Sequence, residues 1–214
     1  MIAGVVFLIG FLLSGIWFGG QMLTSIILYK KKLNKIEMFR PLISGIIPAI
    51  IVCVVTKTNP LKLSGFLNIK VWIIAILTVL LVSIIIKMKK TEEREGAEDS
   101  LFGICVEAAF MEVPQRAMMQ TFVFALLKYF GLNVAWGILI TALIWCAGIV
   151  LQAFMKKVFD MHKLIMELLA SFVFSLGIGY VFWQSQCLLI PMFCHALERY
   201  LTNVKPESEK VKKT

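Results

Sequence analysis

The sequence predicts an all-α fold, a polytopic transmembrane helical bundle of about seven membrane helices. Two observations carry this. Apolar residues make up 59% of the chain and charged residues 16%, with a mean hydropathy of +0.86, far from the balance of a soluble domain. Several apolar runs also exceed the roughly 18 residues that read as a membrane helix.

Taken in order, the first run spans Ile2 to Tyr29. It is too long for a signal-peptide core and no basic residue precedes it, so a retained helix is expected. Ser14, Gly15, Gly19, Gly20 and Gln21 interrupt it, a pattern of close helix packing. The second helix, Pro41 to Thr56, is short and contains Pro48. The connection Lys57–Lys70 carries turn signals at Asn59-Pro60 and Gly65. The third helix runs from Val71 to Ile86, and Lys87–Ser100, with the charged run Thr91–Asp99, reads as a solvated loop. The fourth covers Leu101 to Phe130 and Gly131–Asn133 turns the chain into the fifth, Val134 to Met155. A polar link, Lys156–Lys163, leads to the sixth, Leu164 to Trp183, with Gly177 and Gly179 on a packing face. Gln184–Gln186 turns into the seventh, Cys187 to Asn203, and Lys205–Thr214 is a polar tail for which no order is expected. We read one domain: N-terminal membrane helices and a loop over 1–100, a core over 101–203, and a tail over 204–214. No internal repeat is visible.

Basic residues set an orientation. Sixteen Lys and Arg fall in the first, third and fifth connections and the tail, against four, Lys57, Lys62, Lys70 and Lys128, on the other side. The positive-inside rule places the N-terminus outside and the C-terminus in the cytoplasm of a plasma-membrane protein. The net charge of +9 is then a topology signal and an attraction to anionic lipid headgroups. Its division among membrane loops argues against nucleic-acid binding. The five cysteines, Cys53, Cys105, Cys146, Cys187 and Cys194, are odd in number and form no C-x-x-C pair, so they read as small buried hydrophobes rather than a disulfide framework or a zinc knuckle.

Polarity inside the fourth helix is the exception. Glu107-Ala-Ala-Phe-Met-Glu112-Val-Pro-Gln-Arg116-Ala-Met-Met-Gln120 places two carboxylates and an arginine where an ionisable group costs roughly 2.5–3.5 kcal/mol on insertion scales. Such groups face a bundle interior or a wet cavity and mark functional sites. Glu112 and Arg116 are i and i+4, hence on one helix face. Pro114 removes a backbone donor between them and leaves the carbonyl of Phe110 without its helical partner, so a kink is expected. At 1.5 Å per residue, Glu112 lies about 17 Å from the cytoplasmic start of its helix and His195 about 12 Å from the end at Asn203. At overlapping depths, the carboxylate and the imidazole can meet in a cavity open to the cytoplasm. Glu107, one turn from Met111, shares its face. Glu198 and Arg199 lie near the cytoplasmic end, where long side chains snorkel. His162 falls in a polar link. One membrane histidine is too few for a His-rich metal cluster, and no metal or cofactor is expected.

Met111-Glu-Val-Pro-Gln-Arg116 resembles the E-E-x-x-x-R motif of the CAAX-protease and bacteriocin-processing (CPBP, or Abi) membrane family. His195-Ala-Leu-Glu-Arg199 resembles its H-x-x-x-N/D motif, and its F-x-x-x-H motif falls on Trp145-Cys-Ala-Gly-Ile149. The resemblance covers roughly Leu101 to Asn203. It implies an intramembrane endopeptidase, in which a glutamate and a histidine activate water while a histidine and an asparagine stabilise the oxyanion. Met111 stands at the family's base position, Ile149 at its middle histidine and Arg199 at its Asn/Asp; Glu112, Arg116 and His195 match.

Three function classes follow. The first is an endopeptidase acting on prenylated or otherwise membrane-associated peptides or proteins, with Glu112 or Glu107 as base, His195 at the water or oxyanion, and Arg116, Arg199 and Glu198 in support. The second is a catalytically degenerate relative that binds a partner, as in bacteriocin self-protection or immunity. The third, a small transporter using Glu112, Arg116 and His195, lacks paired broken helices or repeat symmetry.

The charge asymmetry is directly testable. A cysteine placed at Lys62 should react with an impermeant maleimide in intact cells, and one placed in the 205–214 tail only after permeabilisation. The reverse pattern would refute the orientation.

Overall fold

The computed structural model describes residues 2–88, 100–156 and 160–204. The charged run 91–99 and the tail 205–214 lie outside the described residues. The described chain is helical: α1 (Ile2–Lys30), α2 (Arg40–Thr56), α3 (Ile69–Met88), α4 (Leu101–Glu112), a π-helical turn (Val113–Gln120), α5 (Thr121–Tyr129), α6 (Trp136–Lys156), α7 (Met161–Ser185) and α8 (Leu189–Asn203). Short 3₁₀ segments, Asn34–Phe39 and Leu63–Leu67, precede α2 and α3. With α4, the π-turn and α5 read as one rod over 101–129, the helices number seven among the described residues, as expected. No strand forms among them, apart from an isolated bridge between Leu61 and Cys187.

Five helices are long and apolar enough to cross a membrane: Ile2–Lys30, Ile36–Thr56, Ile69–Met88, Trp136–Met155 and Met161–Ser185. The rod 101–129 is broken by its polar π-turn, and α8, with 15 residues, falls short of the roughly 20 a full span needs. Leu12, Ile16, Val54, Val55, Leu77 and Ile84 are all exposed on the outer surface. An apolar belt of this kind is what a bilayer covers. The chain is an integral membrane protein.

Two apolar clusters form the interior. One joins α1, α2, the π-turn, α5 and α6 through Val6, Trp17, Ala49, Met118, Val123 and Ile144. The other joins α3, α7 and α8 through Ala75, Val79, Phe174, Ile178, Ile190 and Cys194. The polar residues of the π-turn lie on the seam between them. The connection after α2 is pinned to the α7–α8 turn: Lys62 N–H donates to Gln186 O at 3.1 Å and Leu188 N–H to Pro60 O at 2.7 Å. Gly65 is required there, since a Cβ would stand 2.0 Å from Ser185 O.

The α1 glycines do not pack as expected. Gly15, Gly19 and Gly20 meet nothing within 4 Å, and the close approach is instead at Gly10, against Ile144 and Val123. For Gly15 the reason is a groove of about 340 Å³ between α1 and α6, which Gly15 and Gly148 line. Gly177 and Gly179 do mark a packing face. A Cβ on Gly177 would fall 2.2 Å from Thr78 Oγ1 of α3, and one on Gly179 3.2 Å from Arg116 Nη1. All five cysteines are free, with Cys187 and Cys194 buried.

The glycine contrast gives a stability test. Gly177→Ala should lower thermal stability in detergent by about 1–3 kcal/mol through overpacking against Thr78. Gly148→Ala, with nothing within 4 Å, should leave it level or raise it.

Candidate active site

Pro114 determines the local backbone. It has no N–H to offer Phe110 O, and that carbonyl accepts from Val113 N–H instead. The expected kink thus takes the form of a π-turn, closed where Thr121 N–H reaches Arg116 O in an i→i+5 bond. Thr121 Oγ1 donates to the same carbonyl at 3.0 Å. The Pro114 ring packs on Gly45 of α2, where a Cβ would approach within 3.1 Å. Every residue of the turn is buried. Such turns occur mostly as single insertions and often at functional sites.

The turn carries a ladder of polar contacts. Arg116 Nε donates to Glu112 Oε2 at 2.9 Å and Arg116 Nη1 to Gln120 Oε1 at 3.0 Å. Gln120 Nε2 then donates to Gly179 O on α7 at 2.7 Å. Ser175 O lies 3.4 Å from Arg116 Nη1. Glu112 and Arg116 are 0% and 1% exposed, so this ion pair is among the most completely buried parts of the molecule. Gln120, Ser175 and Gly179 are site partners beyond those the sequence points to. Gln120 was legible as i+4 from Arg116; the α7 contributions were not, because they depend on helix register.

His195 completes the cluster from α8. Its Nδ1 lies 2.6 Å from Glu112 Oε1. A carboxylate salt-bridged to Arg116 accepts a hydrogen bond there, which assigns the imidazole proton to Nδ1. Both Glu112 oxygens are then engaged, one by Arg116 and one by His195. The His195 ring leans on Phe174 with centroids 4.7 Å apart. Nε2 has no hydrogen-bond partner among the described residues. His195 also lines a cleft of about 40 Å³ with Ser171, Phe174, Glu198 and Arg199. That is room for water, by the rule of roughly 10–15 Å³ per molecule.

The remaining candidates divide. Glu198 does not snorkel: it is 2% exposed, its Oε2 lies 3.3 Å from Arg199 Nε, and its Oε1 is buried without a partner. Arg199, with its side chain 44% exposed, is the member that reaches out. Glu107 turns elsewhere, to Arg40 Nη2 at 2.5 Å, and Arg40 also donates to Ser25 Oγ at 3.0 Å. That contact ties α4 to the start of α2 and to α1. Met111 packs against the first apolar cluster. Trp145 lies 6.2 Å from Trp17 between ring centroids, and Ile149 lines the α1–α6 groove. Among the described residues, no three His, Cys, Asp or Glu side chains form a group able to hold a metal.

The buried Glu112–Arg116 pair and its contact with His195 bring together the three residues that match the CAAX-protease motifs in sequence. Residues 99–201 match the family model described as type II CAAX prenyl endopeptidase Rce1-like. Residues 99–201, from α4 through α8, thus carry an Rce1-like domain that matches the CAAX-protease family. No curated protein and no solved structure matches the chain.

Burial makes the ion pair asymmetric to mutation. Glu112→Gln or Arg116→Met alone should cost about 3–5 kcal/mol, because each leaves a buried charge uncompensated, while the double variant should cost less than either. Thermal melts of the three variants in detergent decide it; equal stability would refute the pairing.

Proposed function

We propose that the chain is an intramembrane endopeptidase acting on membrane-associated or prenylated peptides, with His195 as general base. The observation that carries this is the 2.6 Å contact between His195 Nδ1 and Glu112. With the proton fixed on Nδ1, the Nε2 lone pair is the basic edge of the ring. Glu112 is then an orienting carboxylate, and it stabilises the imidazolium formed when the base takes a proton, as the acid does in a catalytic triad. Arg116 holds Glu112 in place.

The step is hydrolysis. Water at Nε2 gives its proton to His195 while its oxygen attacks the peptide carbonyl carbon. The carbonyl oxygen becomes an oxyanion, for which Arg199 is the nearest cationic donor on the cleft. The imidazolium returns the proton to the amide nitrogen, the C–N bond breaks, and the product is a carboxylic acid and an amine. Neither Glu112 oxygen is free to be the base, and Glu107 is committed to Arg40. The base therefore falls to His195 rather than to either glutamate. The charge asymmetry of the loops supports a cleft on the cytoplasmic side, near anionic lipid.

One observation favours a second reading, a catalytically degenerate family member that binds a partner. Met111 and Trp145, at family motif positions, pack against the first apolar cluster, and Ile149, at a third, lines the α1–α6 groove. They offer no proton chemistry. On this reading the natural chain cleaves nothing and serves as a binding or immunity protein.

Hydrolysis of a membrane-embedded peptide library by the purified protein separates the two. Under the first reading, His195→Ala abolishes cleavage and Glu112→Gln lowers kcat by about 10²–10⁴-fold. Under the second, the natural chain is inert, and Met111→Glu with Ile149→His creates cleavage.

A further inference from the structure

Glu198 is a charged group that the site as described leaves without a role. It is buried to 2% exposure, and one of its carboxylate oxygens, Oε1, has no hydrogen-bond partner. An orphaned buried carboxylate oxygen costs more than a neutral acceptor would, so its persistence calls for a ligand. Glu198 lines the same 40 Å³ cleft as His195. The two residues are i and i+3 on α8, hence on one face of the helix.

We propose that Glu198 is a catalytic residue, the acceptor that holds the hydrolytic water against His195. This rests on the endopeptidase reading. The water donates one O–H to His195 Nε2 and the other to Glu198 Oε1, which aims its lone pair at the substrate carbonyl. When the first proton moves to Nε2, the oxygen–carbon bond forms, and the second proton stays on the attacking oxygen, hydrogen-bonded to Glu198. Glu198 also places a negative charge beside the new imidazolium. Its other oxygen keeps Arg199 at the cleft, where the oxyanion develops. The carboxylate missing at Met111 is thus supplied from α8, four helical elements along the chain.

The experiment compares Glu198→Gln, Glu198→Ala and His195→Ala by peptide hydrolysis, with thermal melts as a check on folding. Glu198→Gln retains an oxygen able to accept from Arg199, so a purely structural role predicts kcat within about threefold of the natural chain. The proposal predicts a fall in kcat of about 10²–10⁴-fold with KM little changed. It also predicts that formate, small enough for the cleft, partly restores kcat to Glu198→Ala. If Glu198→Gln melts early, the formate arm on Glu198→Ala decides alone. Retained activity in Glu198→Gln beside an inactive His195→Ala overturns the role of Glu198 and leaves the endopeptidase reading standing. No cleavage by the natural chain overturns both.

Discussion

A guanidinium buried within a membrane bundle is the constraint on which the rest of the site depends. Arg116 is 1% exposed, and an arginine at bilayer depth is tolerated only when protein groups replace its water. Each replacement has a structural consequence. Glu112 neutralises the charge from one turn earlier. Gln120 takes a second donor and passes the polarity to Gly179 O, which commits α7 to approach side-on without a Cβ. His195 takes the remaining oxygen of Glu112 and so fixes α8. The seam between the two apolar clusters is therefore held in register by hydrogen bonds, whereas apolar packing alone leaves helices in lipid free to slide.

The π-turn is what lets one helix supply three of these groups. An α-helical path through Pro114 would leave Phe110 O bare in an apolar interior, at a cost of roughly 1–3 kcal/mol. Moving that carbonyl to Val113 N–H and widening the ladder to i→i+5 spreads the disruption over eight residues. The turn is covered on its other side by Gly45 of α2, whose missing side chain accepts the proline ring. Irregular backbone at membrane depth survives only where protein buries it, and α2 supplies that cover.

Much of this was legible in the sequence, for definite reasons. The helices follow from apolar runs bounded by charge, and the Glu112–Arg116 contact from i, i+4 spacing. The meeting of Glu112 with His195 followed from overlapping depths, although that estimate fixed depth alone and not which ring nitrogen faces α4. What did not appear were features set by helix rotation about its own axis. Glu107 and Met111 share a face, yet Glu107 is claimed by Arg40, 67 positions away. Glu198, so near a helix end, reads as a snorkelling residue, yet it is buried on a cleft that α3 and α7 also line. The π-turn itself has no periodic signature beyond Pro114.

The two faces of His195 explain how a family fold can lose motif residues and keep a coherent site. Its ring nitrogens diverge. Nδ1 faces α4 and the buried ion pair; the ring also borders a cleft bounded by α3, α7 and α8. The motif positions at Trp145 and Ile149 lie along the α1–α6 groove instead, so their replacement by apolar residues leaves the His195–Glu112 contact intact. Met111 has likewise joined the apolar cluster beside α1 and α2. On the His195 side of the ion pair, the cleft gathers Glu198, Arg199 and Ser171. Replacing Glu198 with an apolar residue of similar volume would remove the desolvation cost of its unpaired, buried carboxylate oxygen. Its burial beside a histidine with a free ring edge is the physical argument for a working site on that face.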